Sequence, residues 1–190
     1  MNHIYLAGPF FNDPQIETIS TLEKILERSG VPYYSPRQHG VLSPATSSDE
    51  ERANIFTDNE NAIIEASLVL AVTEYALPDG ETLALVKRIP VPYETEIKMP
   101  DQGTVYETGF ARGLKTPVIG FHRLDNPKES LNVMLTEGFE GFLHSFVDVE
   151  EFIYLLKLVD RKSKPEFQME KFLADQLRVG VLKKWKGQVR

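Results

Sequence analysis

The stretch Ser67-Leu68-Val69-Leu70-Ala71-Val72-Thr73 decides the fold class of this chain. Its central residues are apolar without alternation, which is typical of a strand buried on both faces of a parallel sheet. A helix is predicted before the stretch, at 49–66, and another after it, at 104–114. The stretch therefore predicts the central strand of an α/β fold with helices on both faces of the sheet.

Strands and helices alternate along the rest of the chain. Further strands are predicted at 3–7, 31–35, 117–121 and 142–147, further helices at 13–29, at 149–158 and after Pro165, a polar loop at 36–48, and a turn or short helix at 132–140. Asp13 is expected to cap the first helix and Gly30 to end it. We expect a single domain with a mostly parallel, doubly wound, five-stranded sheet of flavodoxin- or Rossmann-like type.

Two segments extend this plan. Residues 75–99 have strand-like content at 83–89 and 93–98, which predicts an inserted hairpin or lid. Residues 161–190 carry nine Lys or Arg against three Asp or Glu, although the whole chain has a net charge of -7. We therefore expect an α/β domain at 1–160 and a basic helical extension at 161–190. Such an extension is either a solvated helix face or a segment that docks on an acidic neighbour.

The composition excludes several classes of site. The chain has no cysteine, so disulfides, thiolate nucleophiles and zinc–thiolate sites are excluded. The four histidines lack metal-ligand spacing, so no metal is predicted. No signal peptide or membrane-length apolar run is found, and the acidic body argues against nucleic-acid binding. We expect a cytoplasmic protein.

The stretch 100–111 carries two carboxylates on either side of a glycine that precedes a helix. In one interpretation, Thr104 and Glu107 form a helix capping box. In the other, Asp101 and Glu107 are a catalytic pair, of which one attacks an anomeric carbon and the other handles the proton of the leaving group. Because ligands bind at the carboxyl ends of parallel strands, Tyr5 and the 8–12 segment are expected to meet this pair in one crevice.

Three segments carry a family resemblance, in the same order as in the family. They are Ile4-Tyr5-Leu6-Ala7-Gly8-Pro9-Phe10-Phe11-Asn12, then Asp101-x-Gly103-Thr104-x-x-Glu107-x-Gly109-x-Ala111, then Asn132-Val133-Met134-Leu135. Together they resemble nucleoside 2-deoxyribosyltransferases over roughly residues 3–158. The resemblance implies the α/β fold described above and an enzyme that needs no cofactor.

The resemblance also implies roles for individual residues. Glu107 matches the family's nucleophile, Asp101 the carboxylate that protonates the departing base, and Tyr5 a tyrosine that orients the nucleophile. Asn132 and Met134 match residues that reach the deoxyribose in a neighbouring subunit, which implies a homo-oligomer. Substrate contacts are further expected from five residues: Gly8, Phe10, Phe11, Gln38 and Gly103.

This sequence departs from the family pattern in three places. Ser67 stands where many relatives have an aspartate, so the Ser67 hydroxyl is expected to contact substrate without supplying charge. Residues 75–99 are an insertion, either a lid over the bound substrate or a hairpin that contacts another subunit. The basic extension is the third departure.

The expected function is transfer of 2-deoxyribosyl between a deoxynucleoside and a free nucleobase, through a covalent Glu107 intermediate. One alternative is an N-glycosidase that hydrolyses deoxynucleoside 5'-monophosphates, with Arg37, Arg123 and Lys128 as candidate phosphate ligands. The other alternative, of a different class, is a non-catalytic nucleotide-binding or sensor module.

Overall fold

The computed structural model describes residues 1–39, 48–73, 75–76, 99–123, 131–162 and 168–184. Its strands are β1 (Ile4–Ala7), β2 (Tyr33–Tyr34), β3 (Leu68–Val72), β4 (Tyr75–Ala76), β5 (Met99–Pro100), β6 (Val118–Phe121) and β7 (Gly141–Leu143). Five of them form one sheet in the order β2-β1-β3-β6-β7, and every neighbouring pair in it is parallel. The predicted five-stranded α/β fold is confirmed.

Helices cover both faces of this sheet. They are α1 (Asp13–Ser29), α2 (Pro36–His39), α3 (Asp49–Glu65), α4 (Gln102–Gly113), α5 (Val133–Thr136), α6 (Phe146–Lys162) and α7 (Met169–Val179). The first core lies between the sheet and α1, α6 and α7, and the second lies between the sheet and α3 and α4. No helix within the described ranges is both long enough and apolar enough to cross a membrane.

Strand β3 contributes to both cores, as its unbroken apolar sequence predicts. Leu68, Leu70 and Val72 point into the first core, whereas Val69 and Ala71 point into the second. Every residue of the strand is buried. Successive side chains of a strand point to opposite faces, so a strand covered on both sides has no place for a polar residue.

Several boundaries differ from the predicted ones. Asn12, not Asp13, caps α1, and its side chain accepts from the Gln15 N–H, while Gly30 ends the helix at φ 66° as expected. The predicted strand at 31–35 shrinks to two residues, and a short helix begins at Pro36 in the predicted loop. The predicted strand at 142–147 ends early, at Leu143, and its last two residues belong to a helix that starts at Phe146. Ser145 Oγ accepts from the Asp148 N–H in the first turn of this helix.

The structure describes the base of the insertion and part of the extension. β4 and β5 pair antiparallel at the base of the insertion, and the strands predicted at 83–89 and 93–98 lie outside the described residues. In the extension, α7 buries Phe172 and Leu173 in the first core. Lys183 then forms an antiparallel bridge with Phe142 of β7. The described part of the extension therefore packs on the domain, on the side of the sheet opposite α3 and α4.

Candidate active site

The centre of the candidate site is a hydrogen bond between β1 and α4. The Tyr5 hydroxyl donates to Oε1 of Glu107 over 2.6 Å. Tyr5 is fully buried, and Glu107 is half-buried. A carboxylate that is partly withdrawn from water is costly for a protein to keep, which is why such groups mark functional sites.

The helical periodicity of α4 places Glu107 on its inward face. Thr104, Thr108 and Ala111 are the buried residues of this helix. Glu107 lies three residues after the first and four before the last, and these spacings put side chains on the same side of a helix. The sequence therefore points the carboxylate at the sheet and not at solvent.

Burial controls the proton affinity of this carboxylate. It raises the pKa of Glu107 to about 7, the Tyr5 hydrogen bond opposes the rise, and the negative charge of Asp101 adds to it. Burial, followed by the charge of Glu107, also raises the pKa of the Tyr5 hydroxyl. Near neutral pH, Tyr5 is therefore a neutral donor, and Glu107 exchanges between its acid and its carboxylate form.

Asp101 caps the helix that carries Glu107. Its Oδ2 accepts from both the N–H and the Oγ1–H of Thr104, each over 2.7 Å. The alternative of a capping box formed by Thr104 and Glu107 is therefore wrong: the helix starts two residues earlier, at Gln102, and Glu107 bonds to Tyr5 instead. Gly103 leaves room for this cap, since a Cβ there would lie 3.2 Å from Oδ2 of Asp101.

A small cavity adjoins the cap. It measures about 10 Å³ and is lined by Thr73, Asp101 and Thr104 together with apolar side chains. This is close to the space that one water molecule requires. The cavity lies beside Asp101 at the carboxyl end of β3, and the atoms that line it are almost all apolar.

The loop after β1 presents aromatic rings to solvent. Phe10 and Phe11 stack on each other, with centroids 5.3 Å apart, and Phe11 is 70% exposed. Gly8 holds the start of this loop close to the core, because a Cβ there would lie 2.6 Å from Cδ1 of Ile19 and 2.9 Å from Cβ of Val72. Any larger residue would push the loop away from the strand end.

The segment after β2 is held by a buried ion pair. The carboxylate of Glu23, on α1, is 3% exposed and accepts from Ser35 Oγ over 2.6 Å and from Nε of Arg37 over 3.2 Å. The charge of Arg37 is therefore paired with the Glu23 carboxylate inside the fold. Gln38 is exposed on α2 and donates to the Tyr33 hydroxyl over 3.0 Å.

Sequence reasoning missed a set of stacked rings behind Tyr5. The ring of Tyr34 lies 5.6 Å from that of Tyr5 at 12°, and the ring of His39 lies 4.1 Å from that of Tyr34 at 14°. The Tyr34 hydroxyl donates to Oδ1 of Asn59, on α3, over 3.2 Å. Only the β1–β2 register, in which Tyr5 faces Tyr34, could have signalled the first of these contacts.

The model of one known family, nucleoside 2-deoxyribosyltransferase, matches residues 4–134. The chain belongs to the nucleoside 2-deoxyribosyltransferase family. The match covers β1, the segment with Asp101 and Glu107, and the start of α5, so it includes the first two sequence segments that carry the resemblance and the third as far as Met134. No curated protein sequence matches the chain significantly.

Solved structures with the same fold accompany this family match. A 2-deoxyribosyltransferase from Bacillus psychrosaccharolyticus is 22% identical, with a TM-score of 0.60 over 96% of this chain and 98% of the other. A conserved protein from Enterococcus faecalis V583 is 18% identical, with a TM-score of 0.50 over 81% and 98%. At these identities the likeness shows the fold.

Within this deoxyribosyltransferase family fold, the structure brings three of the expected catalytic residues together. Tyr5 and Glu107 are bonded, and Asp101 acts on the same carboxylate through its charge. Ser67, which is an expected substrate contact, lies apart from these three. It lies ahead of β3, at the amino end of the sheet, where its Oγ accepts from the Asn2 N–H over 2.8 Å. Its expected contact with substrate is therefore not supported by its position.

The expected intersubunit residues of the family lie on α5. Asn132 caps this short helix, and its Oδ1 accepts from the Met134 N–H over 2.9 Å. The Met134 side chain is 80% exposed. The exposed position leaves Met134 accessible to a second subunit, and the role expected of both residues stays a prediction.

Proposed function

We propose that this chain transfers 2-deoxyribosyl between nucleobases by double displacement, with Glu107 as the covalent nucleophile. The observation that carries the proposal is the 2.6 Å hydrogen bond from the buried Tyr5 hydroxyl to the half-buried Glu107 carboxylate. Membership of a deoxyribosyltransferase family supplies the reaction class. The assignment of Glu107 as the nucleophile goes beyond family membership, and it rests on the hydrogen bond from Tyr5.

In the first half-reaction a Glu107 oxygen attacks C1' of a 2'-deoxynucleoside. The C1'–N bond breaks through an oxocarbenium-like transition state, and its electron pair leaves on the base. The base nitrogen takes a proton from the Asp101 carboxyl or from water held beside it. The products are a neutral free base and a deoxyribosyl ester of Glu107.

In the second half-reaction another base enters and loses its proton to the same acid–base group. Its nitrogen attacks C1' from the face that the first base left, and the ester bond breaks to return the Glu107 carboxylate. Two inversions give overall retention at C1'. Substrates without a 2'-hydroxyl reach the oxocarbenium state more easily, so deoxynucleosides are the preferred class.

The surroundings of Glu107 suit a carboxylate nucleophile. Burial removes the water shell that would stabilise the anion, and its pKa of about 7 keeps a substantial ionised fraction at neutral pH. The Tyr5 hydroxyl holds one oxygen, which leaves the other oxygen to attack. Deprotonation of Tyr5 would remove this donor, and the raised pKa of Tyr5 prevents that.

The hydrolytic alternative has less support from the described residues. It requires a phosphate cradle, and Arg37, one of its three candidate ligands, is paired with the buried Glu23 carboxylate. Arg123 donates to Oγ1 of Thr18 and lies over the Phe146 ring, and Lys128 lies outside the described residues. We therefore favour substrates with a free 5'-hydroxyl.

A chromatographic assay with deoxynucleosides and deoxynucleoside monophosphates, with and without an acceptor base, tests the proposal. We expect a new deoxynucleoside only when the acceptor is present, and a loss of at least about 10³-fold in Glu107→Ala. Glu140→Gln is the matched control, because Glu140 is half-buried and ion-paired with Arg112 away from Tyr5. That variant should keep its activity.

Other outcomes of the assay would support the other readings. Base release from monophosphates without an acceptor would establish the N-glycosidase instead. Ligand binding that survives Glu107→Ala without any turnover would establish the non-catalytic module.

A further inference from the structure

Three aromatic rings form a continuous stack that ends at the hydroxyl bonded to Glu107. Tyr5 and Tyr34 are direct partners in the parallel register of β1 and β2, so both side chains lie on the same face of the sheet. Their rings are 12° from parallel, and the His39 ring also stacks on the Tyr34 ring, with the centroids 4.1 Å apart. Offset stacking of this kind restrains ring rotation as well as contributing burial.

Hydrogen bonds anchor the middle ring of the stack and the ring at its far end from Glu107. The Tyr34 hydroxyl is tied to Asn59 of α3, and Nδ1 of His39 donates to the Ser35 carbonyl oxygen over 2.9 Å. β2 has only two residues, so few strand hydrogen bonds hold this edge. Stacking against the Tyr5 and His39 rings therefore holds the Tyr34 ring in place, and the hydroxyl bond to Asn59 adds to it.

Tyr34 lies within the electrostatic field of the nucleophile without a hydrogen bond to it. Burial, then the charge of Asp58 and then that of Glu107, raises the pKa of its hydroxyl. The charged and titratable groups that act on Glu107 itself are Tyr5 of β1 and Asp101 at the start of α4. Any influence of Tyr34 on the nucleophile must therefore pass largely through the Tyr5 ring.

We propose that Tyr34 is a positioning residue for catalysis: its stacked ring fixes the orientation from which Tyr5 donates to Glu107. The inference rests on the proposed function of Glu107 as nucleophile. A donor displaced by 1 Å costs about 10²-fold in rate when reacting groups must be aligned. Loss of the stack is therefore expected to act on the chemical step and to leave substrate affinity nearly unchanged.

A double-mutant cycle between Tyr34 and Tyr5 tests this inference. The variants are Tyr34→Leu, which keeps apolar bulk without a ring, Tyr5→Phe, which removes the donor, and the two combined. The rate of base release in a single turnover should fall about 10-fold in Tyr34→Leu with little change in KM. In the Tyr5→Phe background, Tyr34→Leu should add less than about 2-fold, because its effect requires the Tyr5 hydroxyl.

Two further variants separate positioning from simple destabilisation. Tyr34→Phe keeps the stacked ring and should recover activity to within about 2-fold of the parent protein. Phe152→Leu removes a fully buried ring from the core on the other face of the sheet, and it should lower stability without changing the rate. If Tyr34→Leu does not fold, Tyr34→Met takes its place in the cycle.

A readout without substrate separates this inference from the proposed function. In a carbon-13 titration of the Glu107 carboxyl, Tyr5→Phe should raise its pKa, Tyr34→Leu should raise it in the same direction, and the double variant should match Tyr5→Phe. Additive effects in the kinetic and the titration cycles would overturn the positioning role. Turnover that survives Glu107→Ala would overturn the proposed function while the titration cycle still decides whether Tyr34 acts on Tyr5.

Discussion

At the residue scale, the proposed nucleophile Glu107 must be ionised to attack. Because its pKa lies at about 7, we expect kcat/KM for transfer to rise with pH through that value, and to fall again at the pH where the group that protonates the leaving base loses its own proton. The Tyr5 hydrogen bond lowers the pKa of Glu107, so Tyr5→Phe should move this acidic limb to higher pH as well as reduce the maximum. Rates between pH 5 and 9 measure both effects, and a profile that is flat from pH 5 to 8 would contradict them.

The same carboxylate should cost the protein stability. The pKa of Glu107 is raised from 4.5 to about 7 in the folded state, so the unfolded chain releases this proton first as the pH rises. The free energy of unfolding therefore falls between these two values and is lower by a constant amount above pH 7. Glu107→Gln keeps an oxygen acceptor for Tyr5 and removes the charge.

We expect Glu107→Gln to be more stable than the parent protein by about 1–3 kcal/mol at pH 8, with no difference at pH 4. Urea unfolding at pH 4, 6 and 8 checks the expectation. Glu140→Gln serves again as the control and should show no gain at pH 8, because Glu140 is ion-paired with Arg112. Equal stability of Glu107→Gln and the parent protein at pH 8 would show that the folded-state pKa is not raised.

At the element scale, Asp101 caps α4 and is also proposed to act in catalysis beside Glu107, and substitutions can separate the two roles. Asn is as good an N-cap as Asp, so Asp101→Asn should keep the bond to the Thr104 N–H and leave the melting temperature nearly unchanged. Asp101→Asn should still slow the departure of the base, because the proposed acid is gone. It should also move the acidic limb of the pH–rate profile to lower pH, because the charge that raises the pKa of Glu107 is gone.

Asp101→Ala should lose the cap as well, at a further cost of about 1 kcal/mol in unfolding free energy. Thermal unfolding and the pH–rate profile of both variants, measured together, distinguish the roles. If Asp101→Asn keeps full activity, Asp101 is a cap alone and the leaving-group proton has another source.

The elements also show what the sequence could and could not predict. The unbroken apolar run of β3 determines its burial on both faces, and Gly30 marks a helix end because few other residues adopt its φ of 66°. The choice of Asn12 over Asp13 as cap, by contrast, depends on where the chain leaves β1. Short-range patterns decide the first kind of feature, and tertiary contacts decide the second.

The residues of the candidate site likewise include some that the sequence could predict and some that it could not. Tyr5, Asp101 and Glu107 could be identified because their spacing in the chain matches a family. The Tyr34 ring could not, since it reaches Tyr5 through the register of two strands that are far apart in sequence. The family pattern predicts that Ser67 contacts substrate, but Ser67 lies at the amino end of β3. In a parallel sheet the crevice lies at the carboxyl ends of the strands.

At the scale of the whole molecule, α4 and α5 each expose apolar side chains. Val105 and Tyr106 on α4 and Val133 and Met134 on α5 are all exposed, at 38%, 47%, 56% and 80%. Exposed apolar side chains that lie together mark contacts with other molecules. The helix that carries Glu107, the proposed nucleophile, and the helix expected to serve a neighbouring subunit thus both offer apolar side chains that a second copy could cover.

If α5 completes the site of a neighbouring subunit, two inactive variants should restore each other. Asn132→Asp keeps an acceptor for the Met134 N–H and therefore the cap, but it removes the amide expected to reach the neighbour's deoxyribose. Glu107→Ala removes the nucleophile and leaves Asn132 intact. In a mixed dimer, the site that retains Glu107 receives Asn132 from the other subunit and is complete.

Unfolding and refolding an equal mixture of the two variants should therefore restore about a quarter of the parental sites, since half of the dimers are mixed and each holds one complete site. Each variant refolded alone is the control and should stay inactive in the transfer assay. A mixture no more active than the sum of its parts would mean that Asn132 serves the site of its own chain. Asn132 would then act within one subunit, and the active site would give no reason for the chain to form an oligomer.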